Sequence, residues 1–508
     1  MHNNAVLNAV VAFLVWKPGI YHEEETSMTA SEITAPVPAQ RLEGNMGVGE
    51  LAMSVLAFSA PLTTVAGFIP VLLMFGGNTG PAIYIVSTLL LIVFSVGFIT
   101  MGRRVPNPGG FYAFVTAGLG RAAGLGGAFI ATFGYAVIGF FAPPFFAVTI
   151  QSYVTHDLGG PNIPWYCYAL AITAVTTALA YHRIDLSARV LSVVMVLEAI
   201  CVVVFDVASF LHGAPTGSGG ASIRLPSVND SNIGLALLFV VGNFFGFEAT
   251  VIYREEVKDP EATIPRATYI SVASIGLFYA IAAWAYVAYF GAHHVQSAAT
   301  ANNAGIFGVV LTALVGKIFV DIVTVLLMTS ILASMLSIQN VATRYLYSLG
   351  TDRILPRVFG RVHPRHGSPY LAASFIGGLW TVAIMLFAIA GTPPDSLYPK
   401  ASGIGTFAVL LLLFITSIAV FAYFRSNRSG TSVSPWKTMV APLLSAAGLG
   451  LVTYLAVVNY SDLIGAGGVL GVVFLILTFV LFLAGILVAH VLRVKRPEVY
   501  QRIGRQEL

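Results

Sequence analysis

The fold is decided by two stretches, Ser59-Ala60-Pro61-Leu62-Thr63-Thr64-Val65-Ala66-Gly67 and Gly242-Asn243-Phe244-Phe245-Gly246-Phe247-Glu248, which place helix breakers inside hydrophobic runs. Backbone polar groups that such breaks free inside a bilayer are tolerated only where protein buries them or where they line a cavity. The two stretches lie in the first and sixth apolar spans, the corresponding place of two halves. A pair of this kind predicts the substrate site of a secondary transporter.

The composition predicts an all-α membrane protein. Of 508 residues, 57% are hydrophobic and 9% are charged, whereas a soluble domain carries roughly 25% charged residues. Apolar segments of about 20 residues cross a bilayer as helices. We predict about twelve, at residues 48–75, 81–102, 111–154, 164–182, 188–212, 233–253, 267–291, 306–347, 370–390, 401–424, 438–459 and 466–492.

The charged residues indicate orientation and exclude some partners. The predicted external loops hold only Arg224 and Lys400, and the internal loops hold most of the other basic residues. This asymmetry predicts a multi-pass protein of the plasma or inner membrane with both termini cytosolic. A net charge of +4, scattered along the chain, predicts no nucleic-acid partner. Cys167 and Cys201 lie in apolar runs without metal-ligand spacing, so no metal site is expected.

The positions of the predicted membrane helices divide the chain into four parts. We predict a flexible cytosolic tail at 1–43, a ten-helix transport core at 44–425, two additional membrane helices at 426–494 and a cytosolic tail at 495–508. Met28 is an alternative natural start, which would place 1–27 outside the natural protein. The paired breaks favour a five-plus-five repeat of inverted topology within the core.

Three ordered motifs then resemble a known family. They are Pro106-Asn107-Pro108-Gly109-Gly110-Phe111-Tyr112, the run Arg254–Ala267 that follows Glu248, and the run Asn340–Pro356. They resemble signatures of the amino acid–polyamine–organocation (APC) superfamily of permeases. The resemblance implies a LeuT-like core with broken helices one and six, in which a bundle (one, two, six, seven) rocks against a scaffold (three, four, eight, nine). The first break departs from the family's Gly-Ser/Thr-Gly-Ile-Phe pattern, so its register is open by two or three residues.

The resemblance also implies where substrate binds, namely between the two breaks. Exposed N–H groups at a half-helix N-terminus suit a carboxylate, and C-terminal carbonyls suit an ammonium. In the third helix, Tyr135, Ile138 and Gly139 either line the pocket or serve ordinary packing. The predicted substrate-binding residues are Ala60, Pro61, Leu62, Thr63, Thr64, Gly67, Tyr135, Phe244, Phe245, Gly246, Phe247 and Glu248.

Charges inside the membrane are costly unless paired or hydrated, which makes each one a candidate site. Glu198 in the fifth helix stands about where some superfamily members carry a lysine. It is predicted to exchange a proton during transport, or to coordinate a cation together with Ser334 or Ser337 of the eighth helix. The alternative is a purely structural carboxylate. Asp206 is expected to be hydrated near the outer end of the same helix, and Lys317 and Asp321 to form an internal ion pair.

The sequence therefore favours a secondary-active permease for an amino acid or related amine, coupled to protons or sodium. The alternative within transport is an uncoupled exchanger of amino acids or polyamines. A membrane enzyme or sensor is a remote alternative, since the sequence shows neither a catalytic cluster nor a signalling domain. No cofactor is expected, and the predicted partners are the small substrate, the coupling ion and membrane lipid. The substrate's identity, the stoichiometry and the oligomeric state are left open.

Overall fold

A computed structural model describes residues 46–105, 110–182, 188–248, 250, 257–427, 433–464 and 469–504. The predicted tail 1–43, the first part of the Pro106–Tyr112 motif and most of the acidic-basic run after Glu248 lie outside the described residues. In the described part, all regular structure is helical, and one isolated bridge pairs Met46 with Val257. The prediction of an all-α protein is confirmed.

The α-helices are numbered here in chain order. They are α1 Val48–Phe58, α2 Pro61–Thr63, α3 Ile69–Gly76, α4 Gly80–Gly102, α5 Gly110–Leu119, α6 Arg121–Gly139, α7 Ala142–Ser152, α8 Trp165–His182, α9 Ala188–His212, α10 Ile233–Gly242, α11 Pro260–Phe290, α12 Val295–Ala301, α13 Ile306–Leu314, α14 Lys317–Thr351, α15 Tyr370–Ile389, α16 Pro394–Ser426, α17 Ala441–Val458, α18 Tyr460–Ile464, α19 Val469–Lys495 and α20 Pro497–Arg502. Three π-helical turns, Thr64–Phe68, Tyr153–Asp157 and Trp436–Val440, and two 3₁₀ turns, Gly77–Thr79 and Arg357–Gly360, join some of them.

Nine helical stretches among the described residues are long and apolar enough to cross a membrane, and a tenth is added if the bent pair α12–α13 forms one span. Each of the twelve predicted ranges nevertheless contains a described helix. The difference has three sources. The first two ranges form one long stretch, threonines and tyrosines dilute α8, and the break shortens α10 to ten residues. The count of twelve and the inverted repeat stay predictions.

Besides the first range, whose break was predicted, two predicted ranges cover more than one helix. The third, 111–154, contains α5, α6 and α7, and the chain turns between α5 and α6 at Gly120, whose φ is 89°. The eighth range, 306–347, is two helices, because the chain turns between α13 and α14 at Gly316, whose φ is 102°. Lys317 begins α14 and pairs with Asp321 at 3.2 Å, as predicted, but also with Asp157 at 2.7 Å. Both carboxylates lie at the surface, so the ion pair is exposed rather than internal.

Several helix pairs pack closely. α4 packs against α11, and α8 packs against α15. α6 contacts α14, α16 and α19. The break before α2 lies against α9, α11 and α14, and the break after α10 lies against α6.

The residues after α19 return to the ends of two other helices. The Tyr112 hydroxyl of α5 donates to the Asp352 carboxylate at the end of α14, at 2.8 Å. The Gly504 amide donates to the same hydroxyl at 2.7 Å. Ile503 is buried beside them. Tyr112 and Asp352 come from two of the three motifs, so those motifs meet at one point.

Candidate functional site

The first break lies at Ser59 and Ala60, between α1 and α2. Ala60 has φ 46° and ψ 78°, the left-handed region, which costs a non-glycine residue about 1–2 kcal/mol. Pro61 follows as the first residue of α2, where its missing N–H would have had no intrahelical partner. The predicted break is present, and its register is now fixed.

The free amides of α2 are satisfied by two other helices. The Leu62 amide donates to Glu198 Oε2 of α9 at 3.2 Å. The Thr63 amide donates to the Ser330 hydroxyl of α14 at 3.4 Å, and Ser330 donates to Glu198 Oε2 at 2.8 Å. Glu198, only 3% exposed, therefore caps a half-helix N-terminus, where the helix dipole favours negative charge.

This arrangement corrects two expectations. The N–H groups predicted to receive a substrate carboxylate are already held by Glu198 and Ser330. The hydroxyl that contacts Glu198 belongs to Ser330, one turn before Ser334, and neither Ser334 nor Ser337 bonds to it in the described structure. Ser334 lines the cavity described below, and Ser337 is half-buried.

Two tyrosines of α11 support the same break, and sequence reasoning missed both. The Tyr279 hydroxyl lies 2.8 Å from the Ser59 hydroxyl and 3.1 Å from the Ser59 carbonyl. The Tyr286 hydroxyl donates to the Val65 carbonyl at 3.0 Å. These contacts satisfy carbonyls that a disrupted helix leaves without intrahelical donors.

The second break is held by its own residues. α10 ends at Gly242, and the turn after it needs Gly246, whose φ of 105° suits glycine alone. The Gly246 amide donates to Glu248 Oε2 at 2.9 Å, and the Tyr135 hydroxyl of α6 donates to Glu248 Oε1. The Tyr135 ring stacks on Tyr345 with centroids 5.7 Å apart. Buried Glu248 therefore closes the turn and ties it to α6.

A cavity opens between the two breaks. Its empty space is about 420 Å³, part of it open to the outside. Polar groups come mainly from the breaks, and rings and aliphatic side chains form the rest. The lining residues are Ser59, Thr63, Thr64, Phe68, Tyr135, Ile138, Phe141, Gly242, Asn243, Phe245, Ser334 and Ile338.

The predicted site residues divide into two groups. Thr63, Thr64, Tyr135 and Phe245 line the cavity. The others surround the breaks without being in its lining: Ala60, Pro61, Leu62, Gly67, Phe244, Gly246, Phe247 and Glu248.

Packing explains several of the second group. Phe247 lies edge-on to Phe94 and Phe98, at 5.9 Å from each. A Cβ at Gly67 would stand 2.8 Å from the Phe145 ring, so Gly67 serves close packing and not the break. Gly139 likewise packs against Trp380, whereas Ile138 lines the cavity.

Among the lining residues missed from sequence, Asn243 is the most informative. Its Nδ2 donates to the Tyr84 hydroxyl, and its buried Oδ1 has no hydrogen-bond partner within the described residues. A buried acceptor without a partner is costly, so this oxygen is available to a ligand. Its position inside the second break was the available signal. No comparable signal in the sequence marked Phe68 and Phe141, whose rings pack edge-on with centroids 4.8 Å apart.

Asp206 also departs from expectation. It was predicted to be hydrated, but it is buried between α9 and its neighbours, and Oδ1 has no hydrogen-bond partner in the described part of the chain. Tyr286 lies close enough to interact with it electrostatically. Proximity to a helix end did not make this carboxylate accessible.

An all-α membrane protein with two broken helices around a small cavity is a membrane transporter by class. The amino acid permease family model matches residues 48–489, and the chain belongs to that family. The resemblance to the APC superfamily is thereby confirmed.

Several curated proteins are similar to the chain over most of their length. The low-affinity putrescine importer PlaP of Escherichia coli K12 is 21% identical, over 79% of this chain and 86% of that protein. The branched-chain amino acid permease BcaP of Lactococcus lactis subsp. cremoris is 22% identical, over 79% and 85%. The gamma-aminobutyric acid permease of E. coli K12 is 23% identical, over 80% and 88%.

Proposed function

We propose that the chain is a proton-coupled permease of the plasma membrane for neutral amino acids with apolar side chains, working by alternating access. The observation that carries this proposal is the composition of the cavity lining. It combines hydroxyl and amide groups, most of them from the two breaks, with aromatic and aliphatic side chains, and the described lining holds no ionisable carboxylate or basic group.

The polar lining residues suit the two charged groups of an amino acid. Thr63 and Thr64 already donate to Ser330 and to the Ser59 carbonyl. The Ser334 hydroxyl has no hydrogen-bond partner within the described residues, and Asn243 offers an unpaired amide oxygen. A hydroxyl can donate to a carboxylate, and an amide oxygen can accept from an ammonium. The substrate's two ends would therefore be recognised by side chains, since Glu198 and Ser330 already hold the first N–H groups of α2.

The apolar lining residues support a neutral side chain. Phe68, Phe141, Ile138, Ile338 and Phe245 line the cavity, and the described lining includes no acidic or basic residue. A cationic side chain, or the second ammonium of putrescine, would lose its hydration without gaining a counter-charge. Among the substrates named for the three relatives, a branched-chain amino acid fits this lining best.

Glu198 supports coupling to protons over coupling to sodium. Its described partners are the Leu62 amide and the Ser330 hydroxyl, both of which donate to it. A sodium site would need oxygen ligands with free lone pairs, which an amide N–H does not supply. A buried carboxylate between two donors can gain and lose a proton without rebuilding its surroundings.

The test uses purified protein reconstituted in liposomes. L-leucine uptake should be driven by an inward proton gradient into liposomes that contain no substrate, and excess L-lysine or putrescine should not compete. Inhibition by putrescine but not by leucine would overturn the substrate assignment. Uptake that does not depend on the proton gradient and requires substrate inside the liposomes would show that the protein is an exchanger.

A matched pair of variants tests the cavity itself. Ile338→Ala removes part of the apolar wall and should lower leucine uptake about tenfold, with a smaller effect on alanine, since each lost methylene contact costs roughly 10-fold or more. Ile389→Ala, on an exposed face at the end of α15, should leave both unchanged. Equal behaviour of the two variants would place the substrate elsewhere.

A further inference from the structure

We infer that Thr63 is a positioning residue that transmits the protonation state of Glu198 to the cavity by reversing the direction of its hydroxyl. This inference rests on the proposed function, because it deepens the coupling assigned to Glu198. The structural basis is a chain of two hydroxyls. Thr63 lines the cavity, its Oγ1 lies 2.9 Å from Ser330 Oγ, and Ser330 Oγ lies 2.8 Å from Glu198 Oε2.

The direction of these bonds is fixed while Glu198 is ionised. A carboxylate only accepts hydrogen bonds, and a hydroxyl has one proton to donate. Ser330 therefore gives its proton to Glu198 and can only accept from Thr63. Thr63 in turn gives its proton to Ser330, so toward the cavity it presents a lone pair. This state of the cavity favours a donor, such as an ammonium.

A proton on Glu198 reverses the chain. The new carboxyl O–H donates to Ser330 Oγ, Ser330 donates to Thr63 Oγ1, and the Thr63 proton becomes free to point into the cavity. Ser330 still accepts from the Thr63 amide, and the carboxyl oxygen still accepts from the Leu62 amide, so no contact is lost. One proton is added, two hydroxyl protons reorient, and no covalent bond between heavy atoms changes.

The consequence is a coupling between proton and substrate. A Thr63 hydroxyl that donates can bind the substrate carboxylate, whereas one that presents a lone pair repels it. Hydrogen bonds to charged groups are the strong ones, and the change corresponds to at least about a tenfold difference in affinity. Glu198 itself need not touch the substrate, which agrees with its place outside the cavity lining.

Glu198 is the titratable group at the end of this hydroxyl chain, and the next carboxyl group on its helix, Asp206, lies about 12 Å away along the helix axis. The titratable groups near enough to interact with it are Tyr279 of α11 and Cys201 of its own helix. Phenols and thiols ordinarily stay protonated below about pH 8. Of the other helices packed against α9, α2 and α13 carry no titratable residue, and Glu50 of α1 is exposed. On α14, Asp321 lies about 14 Å from Ser330 along the helix axis, and Lys317 and Arg344 lie about 20 Å away on either side.

The experiment measures L-leucine affinity in lipid nanodiscs between about pH 5 and pH 8, because burial can bring the titration of a carboxyl group into this range. Wild-type affinity should weaken about tenfold or more as pH rises. Thr63→Val and Ser330→Ala should lose this pH dependence, and Thr63→Ser should restore it. Glu198→Gln, whose amide can donate to Ser330, should bind with nearly constant affinity. Ser337→Ala, on the same helix but outside the hydroxyl chain, is the control and should follow the wild type.

A second readout does not require substrate. Infrared difference spectra between acid and neutral pH detect the carbonyl of a protonated carboxyl group. A band absent in Glu198→Gln should be shifted in Thr63→Val, because Ser330 then lacks the hydroxyl to which it donates. An unshifted band, or a wild-type pH dependence of binding in folded Thr63→Val, would overturn the inference. Failure of leucine to bind at any pH, with the band shifted as described, would overturn only the proposed substrate.

Discussion

At each break a carboxylate accepts a hydrogen bond from a backbone amide, but the two carboxylates come from different parts of the chain. At the first, Glu198 reaches across from α9 and caps α2 together with Ser330 of α14. At the second, Glu248 folds back onto the Gly246 amide of its own turn, and in the described part of the chain it accepts one side-chain hydrogen bond from another helix, from Tyr135. The first break is thus sensitive to a charge on a neighbouring helix, and the second depends mainly on its local backbone shape.

The largest effect is expected from destroying that shape. Gly246→Leu forces a side chain onto a backbone with φ 105°, which L-residues rarely adopt. Leucine uptake should fall to background while the protein still reaches the membrane and elutes as a single species. Gly378→Leu, at an exposed helical position with open space around it, should retain uptake. Normal uptake by Gly246→Leu would remove the second break from the mechanism.

A smaller effect, with a different dependence on pH, separates the two carboxylates. Glu248→Gln cannot accept both the Gly246 amide and the Tyr135 hydroxyl as the carboxylate does, so uptake should fall at least about tenfold. The loss should be equal at every pH, measured as initial rates in proteoliposomes. Glu198→Gln should instead flatten the pH profile. If Glu248→Gln flattened the pH profile and Glu198→Gln lowered uptake equally at every pH, the coupling carboxylate would be at the second break.

The smallest effect concerns strain at the first break. Ala60→Gly relieves a left-handed alanine and should stabilise the protein by up to about 1 kcal/mol, seen as a small rise in the apparent melting temperature with uptake unchanged. Ala117→Gly, at an exposed position of helix α5, should lower the melting temperature because glycine weakens a helix by about 1 kcal/mol. If both variants lower the melting temperature, Ala60 is not strained.

The fold class and the presence of the breaks could be predicted from the sequence because both depend on short local patterns. Long apolar runs predict membrane helices, and glycine in the second break marks its turn directly. The position of the first break was harder to predict because a proline either kinks a helix or begins one, and an alanine gives no sign of a left-handed backbone. Only tertiary contacts decide which of these structures forms.

The side chains that face the cavity were harder to predict, for a geometric reason. Ser330, Ser334 and Ser337 lie within two turns of α14, and which one meets Glu198 depends on the axial offset between α9 and α14. That offset is set by packing along the whole helices and leaves no mark in the local sequence. The same limit applies to Asp206, whose burial depends on the helices that cover it.

The contact of Gly504, just after α20, with Tyr112 bears on where the molecule can be labelled. Gln501 is exposed on a helix whose neighbours Val499 and Ile503 are buried, so a dye attached there would be held at the junction of α5 and α14 instead of tumbling freely. Cys167 is exposed and would need replacement first, whereas Cys201 is buried. A fluorophore at Gln501 would therefore follow any change in the spacing of those two helices during the transport cycle.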